Sequence, residues 1–117
     1  MRNFKELSVW QRSHQLVLKI YLCTKKFPPD ELYGITSQLR RSASSVPTNI
    51  AEGCGRNSDA EMKRFLTIAC GSCSEMEYQI MLSNELGYIS VDMYTELTNE
   101  ITEIRKMIYA FIQRSKT

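Results

Sequence analysis

Glycine and proline are scarce in this chain of 117 residues, five and three in number, which argues against a fold of many short strands joined by tight turns. Histidine is scarcer still. With His14 alone, the two Glu-x-x-His pairs of a carboxylate-bridged di-metal bundle are excluded. A helical ribonuclease of the Arg-x4-His type is excluded as well, since no arginine stands at the required spacing before His14. No uninterrupted apolar stretch follows Met1-Arg2-Asn3-Phe4-Lys5-Glu6, so this start fits neither a secretory signal nor a membrane span. The expected compartment is the cytoplasm, where Cys23, Cys54, Cys70 and Cys73 would stay reduced.

Positive charge is missing from one long stretch. Residues 65 to 104 hold no Lys or Arg but carry Glu75, Glu77, Glu85, Asp92, Glu96, Glu100 and Glu103. Residues 1 to 64 hold eleven bases against six acids, although the whole chain is only +2. Such a division predicts an electrostatic end or face, on a chain far less basic than a dedicated nucleic-acid binder.

What the sequence does have is apolar periodicity at spacings of three and four, the mark of helices packed along their length. The first helix is expected from about Lys5 to Lys26, with a seam of Leu7, Trp10, His14, Val17 and Tyr21 flanked by Leu16, Ile20, Cys23 and Phe27. Pro28-Pro29 stops it. The second is expected from about Tyr33 to Gly53 through Ile35, Leu39, Ala43, Val46 and Ile50, as one helix kinked at Pro47. A break at Val46, with Pro47 opening a new helix, is the alternative. Ser58-Asp59-Ala60-Glu61 reads as a capping box opening a third helix to about Leu86, where Gly87 ends it. Its seam is Met62, Leu66, Ala69, Cys73, Met76 and Ile80. The fourth begins near Ser90 and continues through Tyr94, Leu97, Ile101, Ile104, Ile108 and Phe111.

Short connections make consecutive helices antiparallel neighbours. The expected architecture is therefore all-α, an antiparallel up-down-up-down four-helix bundle forming one domain over residues 1–117. The small residues Ser42-Ala43-Ser44-Ser45 and Ala69 to Ser74 fall nearly level, so the second and third helices should approach closely there. Apolar residues beyond one seam (Val9, Leu16, Leu18 and Ile20; Met93, Met107, Tyr109 and Ile112) would allow burial against a second subunit.

No motif calls for a cofactor or a metal. Cys70-Gly71-Ser72-Cys73 has the CxxC spacing, but the other cysteines lie too far along the bundle to complete a zinc site, so buried packing is expected. Ala51-Glu52-Gly53-Cys54-Gly55-Arg56 lacks the Gly-Lys-Ser/Thr ending of a P-loop and reads as a helix end with a tight turn. His14 is expected in a core or an interface, and no catalytic residue is identified. On the bundle, one end collects Arg2, Lys5, Arg12, Arg56, Lys63, Arg64, Arg105, Lys106, Arg114 and Lys116. Solvated surface charge is the plain reading. The functional one is a patch facing phosphates or a partner, with Arg12, Arg56, Lys63, Arg64, Arg105 and Lys106 as candidate contacts. Arg40 and Arg41 are ambiguous, an Arg40–Glu75 ion pair being as plausible as a ligand contact.

In order along the chain, Val9-Trp10-Gln11, Phe27-Pro28, Tyr33-Gly34, Gln38-Leu39-Arg40-Arg41, Ser45-Val46-Pro47, Asn49-Ile50-Ala51-Glu52-Gly53, Ile68-Ala69, Gly71-Ser72 and Leu86-Gly87-Tyr88-Ile89 resemble the proteins encoded in intervening sequences of bacterial 23S ribosomal RNA genes. The resemblance spans nearly the whole chain. It implies a four-helix bundle assembling into a homopentameric ring with no known enzymatic activity. That family is similar to the accessory variability determinant of diversity-generating retroelements, a strongly basic pentamer that binds reverse transcriptase and nucleic acid. Two functions remain open. One is an oligomeric scaffold whose basic end contacts RNA, DNA or a nucleic-acid-handling protein; the other is a purely structural self-assembling protein with a protein partner.

Overall fold

A computed structural model describes residues 2–114. Four long helices, α1 (Ser8–Thr24), α2 (Ser37–Cys54), α3 (Asp59–Glu85) and α4 (Val91–Arg114), run up and down in a bundle 44 Å long. No strand occurs among the described residues. Lys116 lies outside them.

Each boundary has a local cause. Asn3 accepts from the amide of Lys5 at 3.1 Å and draws Phe4–Glu6 into a short 3-10 turn. Leu7 is extended, so α1 starts three residues later than its apolar pattern suggests. At the other end of α1, a 3-10 turn (Pro29–Glu31) and a π-helical turn (Leu32–Thr36) precede α2. Gly34, at φ −110° and ψ −121°, bends the chain there, which moves the regular start of α2 from Tyr33 to Ser37. From Ser37, α2 runs unbroken through Pro47. Proline withholds the amide that Ala43's carbonyl would accept. Asn49, two residues on, ties this turn by donating to both the carbonyl and the hydroxyl of Ser45.

Ser58 caps α3 by accepting from the Glu61 amide. At the far end Gly87 takes a φ of +80°, and the amides of Gly87 and Tyr88 close on the carbonyls of Asn84 and Ser83. This is the left-handed exit that glycine adopts without a Cβ penalty. Ser90 then accepts from the Met93 amide to open α4.

The expected seams of α2 and α3 are all buried, as are Leu97, Ile101, Ile104, Ile108 and Phe111 of α4; Tyr94 is half-buried. The first helix is different. Its buried side is Val9, Ser13, Leu16, Val17, Ile20 and Thr24, whereas Trp10 and His14 of the expected seam are half-buried and Tyr21 is exposed. Two apolar stripes share α1, and the bundle covers the one read from sequence as flanking. Val9, Leu16 and Ile20 are therefore core, not spare surface for a second subunit.

Packing is most intimate between α2 and α3. The level small residues meet as expected: the Ser45 and Ser72 hydroxyls lie 2.8 Å apart, and Ser42 donates to Gln79 at 2.6 Å. A Cβ on Gly53 would come within 3.2 Å of both the Met62 carbonyl oxygen and the Phe65 Cβ. Outside the shared core, α1 and α4 are also joined by charge. Arg12 donates to both carboxylate oxygens of Glu100 at 3.0 and 2.8 Å, and Lys19 pairs with Glu96 at 2.8 Å.

Candidate interaction surfaces

The stripe of α1 left uncovered faces α2 and the solvent. Phe4 meets Trp10 edge-on at 4.9 Å, and Trp10 stacks on His14 at 5.1 Å, only 7° from parallel. With Val17 they form one wall of an open groove of about 620 Å³ whose other wall is Ser44, Pro47, Thr48, Ala51, Glu52 and Gly55 of α2 and its cap. The Ser45 to Gly53 stretch is thus shared out by helical geometry. Val46 and Ile50 enter the core; Ser45, Asn49 and Gly53 turn toward α3; Pro47, Ala51 and Glu52 line the groove.

Farther along the same side, Leu18 and Tyr21 stand exposed on α1, and Tyr33, 92% exposed, stands beside Tyr21. Tyr21, Tyr33, Arg40 and Arg41 line a second open cavity of about 440 Å³. Arg40 does not pair with Glu75. It projects from the α1 side of α2, where its guanidinium lies 4.7 Å above the Tyr21 ring and its Nε donates to Thr24 at 2.8 Å. Glu75 projects outward from α3 and is approached by the Gln79 amide at 3.5 Å.

The candidate basic contacts do not form one free patch. Arg12 is engaged by Glu100, Arg105 by Glu77 at 2.9 Å, Lys106 by Glu103 at 3.6 Å, and Arg56 by Glu52 at 2.7 Å and Glu61 at 3.7 Å. Glu100's carboxyl sits below its usual range because Arg12 donates to it, against the opposing effect of burial. Lys63 lies half-buried near the start of α3. Arg64 stacks on Phe65 at 5.8 Å and has no carboxylate partner among the described residues. Arg2 and Arg114 both lie over the Phe111 ring, at 5.3 and 5.6 Å. The Arg12–Glu100 and Arg105–Glu77 pairs join helices and depend on which α4 residues come level with α1 and α3, a register that charge counting along the chain does not reveal, whereas Lys106–Glu103 and Arg56–Glu52 are local i,i+3 and i,i+4 pairs.

The cysteines are free thiols; Cys54, Cys70 and Cys73 are buried and Cys23 is half-buried. Desolvation raises all four, Cys73 to about 12. Among the described residues no three His, Cys, Asp or Glu side chains gather as a metal site would need. Nor is any helix there long and apolar enough to cross a membrane.

A family model for the 23S rRNA-intervening sequence protein matches residues 5–110. The chain belongs to that family. The bundle is also similar to a crystal structure of a protein of unknown function from the S23 ribosomal protein family of Bacteroides thetaiotaomicron. That likeness has a TM-score of 0.82 at 28% identity, covering 89% of this chain and 97% of the other. Among curated proteins nothing matches. For this family member, the distinctive surface is the α1–α2 side, where an apolar groove and an aromatic-arginine cavity lie end to end and share Ser44.

Proposed function

We propose that this chain is a non-enzymatic cytoplasmic scaffold that assembles with copies of itself into a closed ring of five. The observation that carries self-assembly is the second apolar stripe of α1. Trp10, His14, Leu18 and Tyr21 recur at helical spacing on a helix whose other stripe is already in the core. An apolar surface of this extent, continuous with a groove, marks an interaction site. Tyr, Trp and Arg, which gather here, dominate the energetics of protein interfaces. The number five comes from the family resemblance. Leu18→Glu tests the reading: it should lower the mass measured by light scattering while circular dichroism keeps the helical signal. A variant that assembles like the parent would contradict it.

A second reading adds contact with RNA or DNA, and it is favoured by Arg2, Arg64 and Arg114, which carry no carboxylate partner among the described residues. Phosphate contacts release counterions, so binding to a structured RNA should weaken steeply as salt rises. Binding that is absent, or indifferent to salt, leaves the purely structural scaffold.

A further inference from the structure

A closed ring with an odd number of copies cannot be built from two-fold contacts. Each junction must join two unlike patches, so each molecule must own both. Rotation about the ring axis adds no displacement along that axis. If the helices run along the axis, the two patches must therefore lie at the same height on the bundle.

We infer that the ring closes head to tail, with the Arg40–Arg41 face of α1 and α2 on one copy receiving the Glu75–Tyr78 face of α3 on the next. This rests on the self-assembly reading above. The first face is apolar and positively charged. Tyr21 and Tyr33 surround two arginines that have no carboxylate within ion-pair reach among the described residues, and Arg40 is already held in place by Thr24 and the Tyr21 ring. The second face is apolar and negatively charged. Ile68 and Tyr78 are exposed, and a Cβ on Gly71 between them would meet nothing within 4 Å, so the helix backbone there is open to close approach. Glu75 has no cationic partner among the described residues.

Height and charge agree. The bonds Ser42 to Gln79 and Ser45 to Ser72 place the early turns of α2 level with residues 72 to 79 of α3, so Arg41 and Glu75 lie within about one turn of each other along the bundle. Opposite charges at matched height fix the register of a contact, and like charges placed across it are strongly disfavoured.

The test compares four full-length proteins, the parent, Arg41→Glu, Glu75→Arg and the double variant, by light scattering over a dilution series, with circular dichroism to confirm the fold. Both side chains are exposed, so the variants should fold. Each single reversal should raise the concentration at which the assembly dissociates at least ten-fold. The double variant, whose two faces are again complementary, should recover most of that loss. Singles that dissociate without recovery in the double overturn the pairing of these faces. An assembling parent with indifferent single variants also overturns it and leaves self-assembly standing. Loss of RNA binding in Arg41→Glu at unchanged mass would overturn it too and assign the arginine to nucleic acid. A monomeric parent would instead defeat the self-assembly reading on which the inference rests.

Discussion

The thiols show how far burial controls chemistry at single residues. A thiolate is the reactive form of cysteine, and the Cys73 thiol, pushed up to about 12, supplies almost none near neutral pH. The CxxC spacing of Cys70 and Cys73 is helical packing, with both side chains buried in the core. A disulfide-exchange reagent at neutral pH should therefore modify Cys23 first and reach Cys54, Cys70 and Cys73 only as fast as the protein opens. Immediate titration of all four thiols in the native protein would contradict this. Glu100 behaves in the opposite sense. Its folded pKa is depressed, so its pair with Arg12 contributes stability above the unfolded carboxylate range, and that contribution fades as pH falls through the folded value. Denaturant melts should find Glu100→Gln less stable than the parent at pH 7, with the difference shrinking by pH 3. An equal difference at both values would show that the ion pair is not its source.

Among the elements, α2 carries the densest set of constraints. Gly53 sits where α3 begins, and the Met62 carbonyl that a Cβ would crowd belongs to helical backbone that cannot turn away. Gly53→Ala should cost about 1–3 kcal/mol in a urea melt, the usual range for overpacking a tight contact. A neutral effect would mean that the two helices separate more freely than their hydroxyl contacts imply. This element was largely legible in the sequence, because Leu39, Ala43, Val46 and Ile50 form its single apolar seam and the small residues beside it announce a close neighbour. α1 was legible only as a helix. It carries two apolar stripes, and periodicity measures spacing without indicating which stripe meets the core; Trp10 and His14 looked internal because they are aromatic and well spaced. Its start was also misplaced, since the Asn3 cap and the extended Leu7 interrupt the pattern without changing its period. Height alone leaves an Arg40–Glu75 pair and a ligand contact equally open, whereas the azimuth of Arg40 on α2 directs it to Thr24 and Tyr21.

For the whole molecule, the uneven charge of the sequence becomes stitching between helices. Among the acids of the base-free stretch, Glu77, Glu96 and Glu100 take up Arg105, Lys19 and Arg12 from other helices, while Glu103 pairs with Lys106 within α4. The basic end is consequently less available to phosphates than its composition suggested, and the strongest unspent surface is apolar. If RNA is bound, the unpaired Arg64 should matter more than the paired Arg105. Arg64→Ala should weaken binding and flatten its salt dependence, whereas Arg105→Ala should act mainly on stability; the reverse ranking would place the contact elsewhere.

Self-assembly is the central claim, and the mass in solution tests it most directly. Light scattering on the purified protein near neutral pH should give about five times the 13.5 kDa of one chain, stable on moderate dilution. A mass of one chain across the same concentrations would contradict the account, leaving the uncovered stripe of α1 without the partner proposed for it.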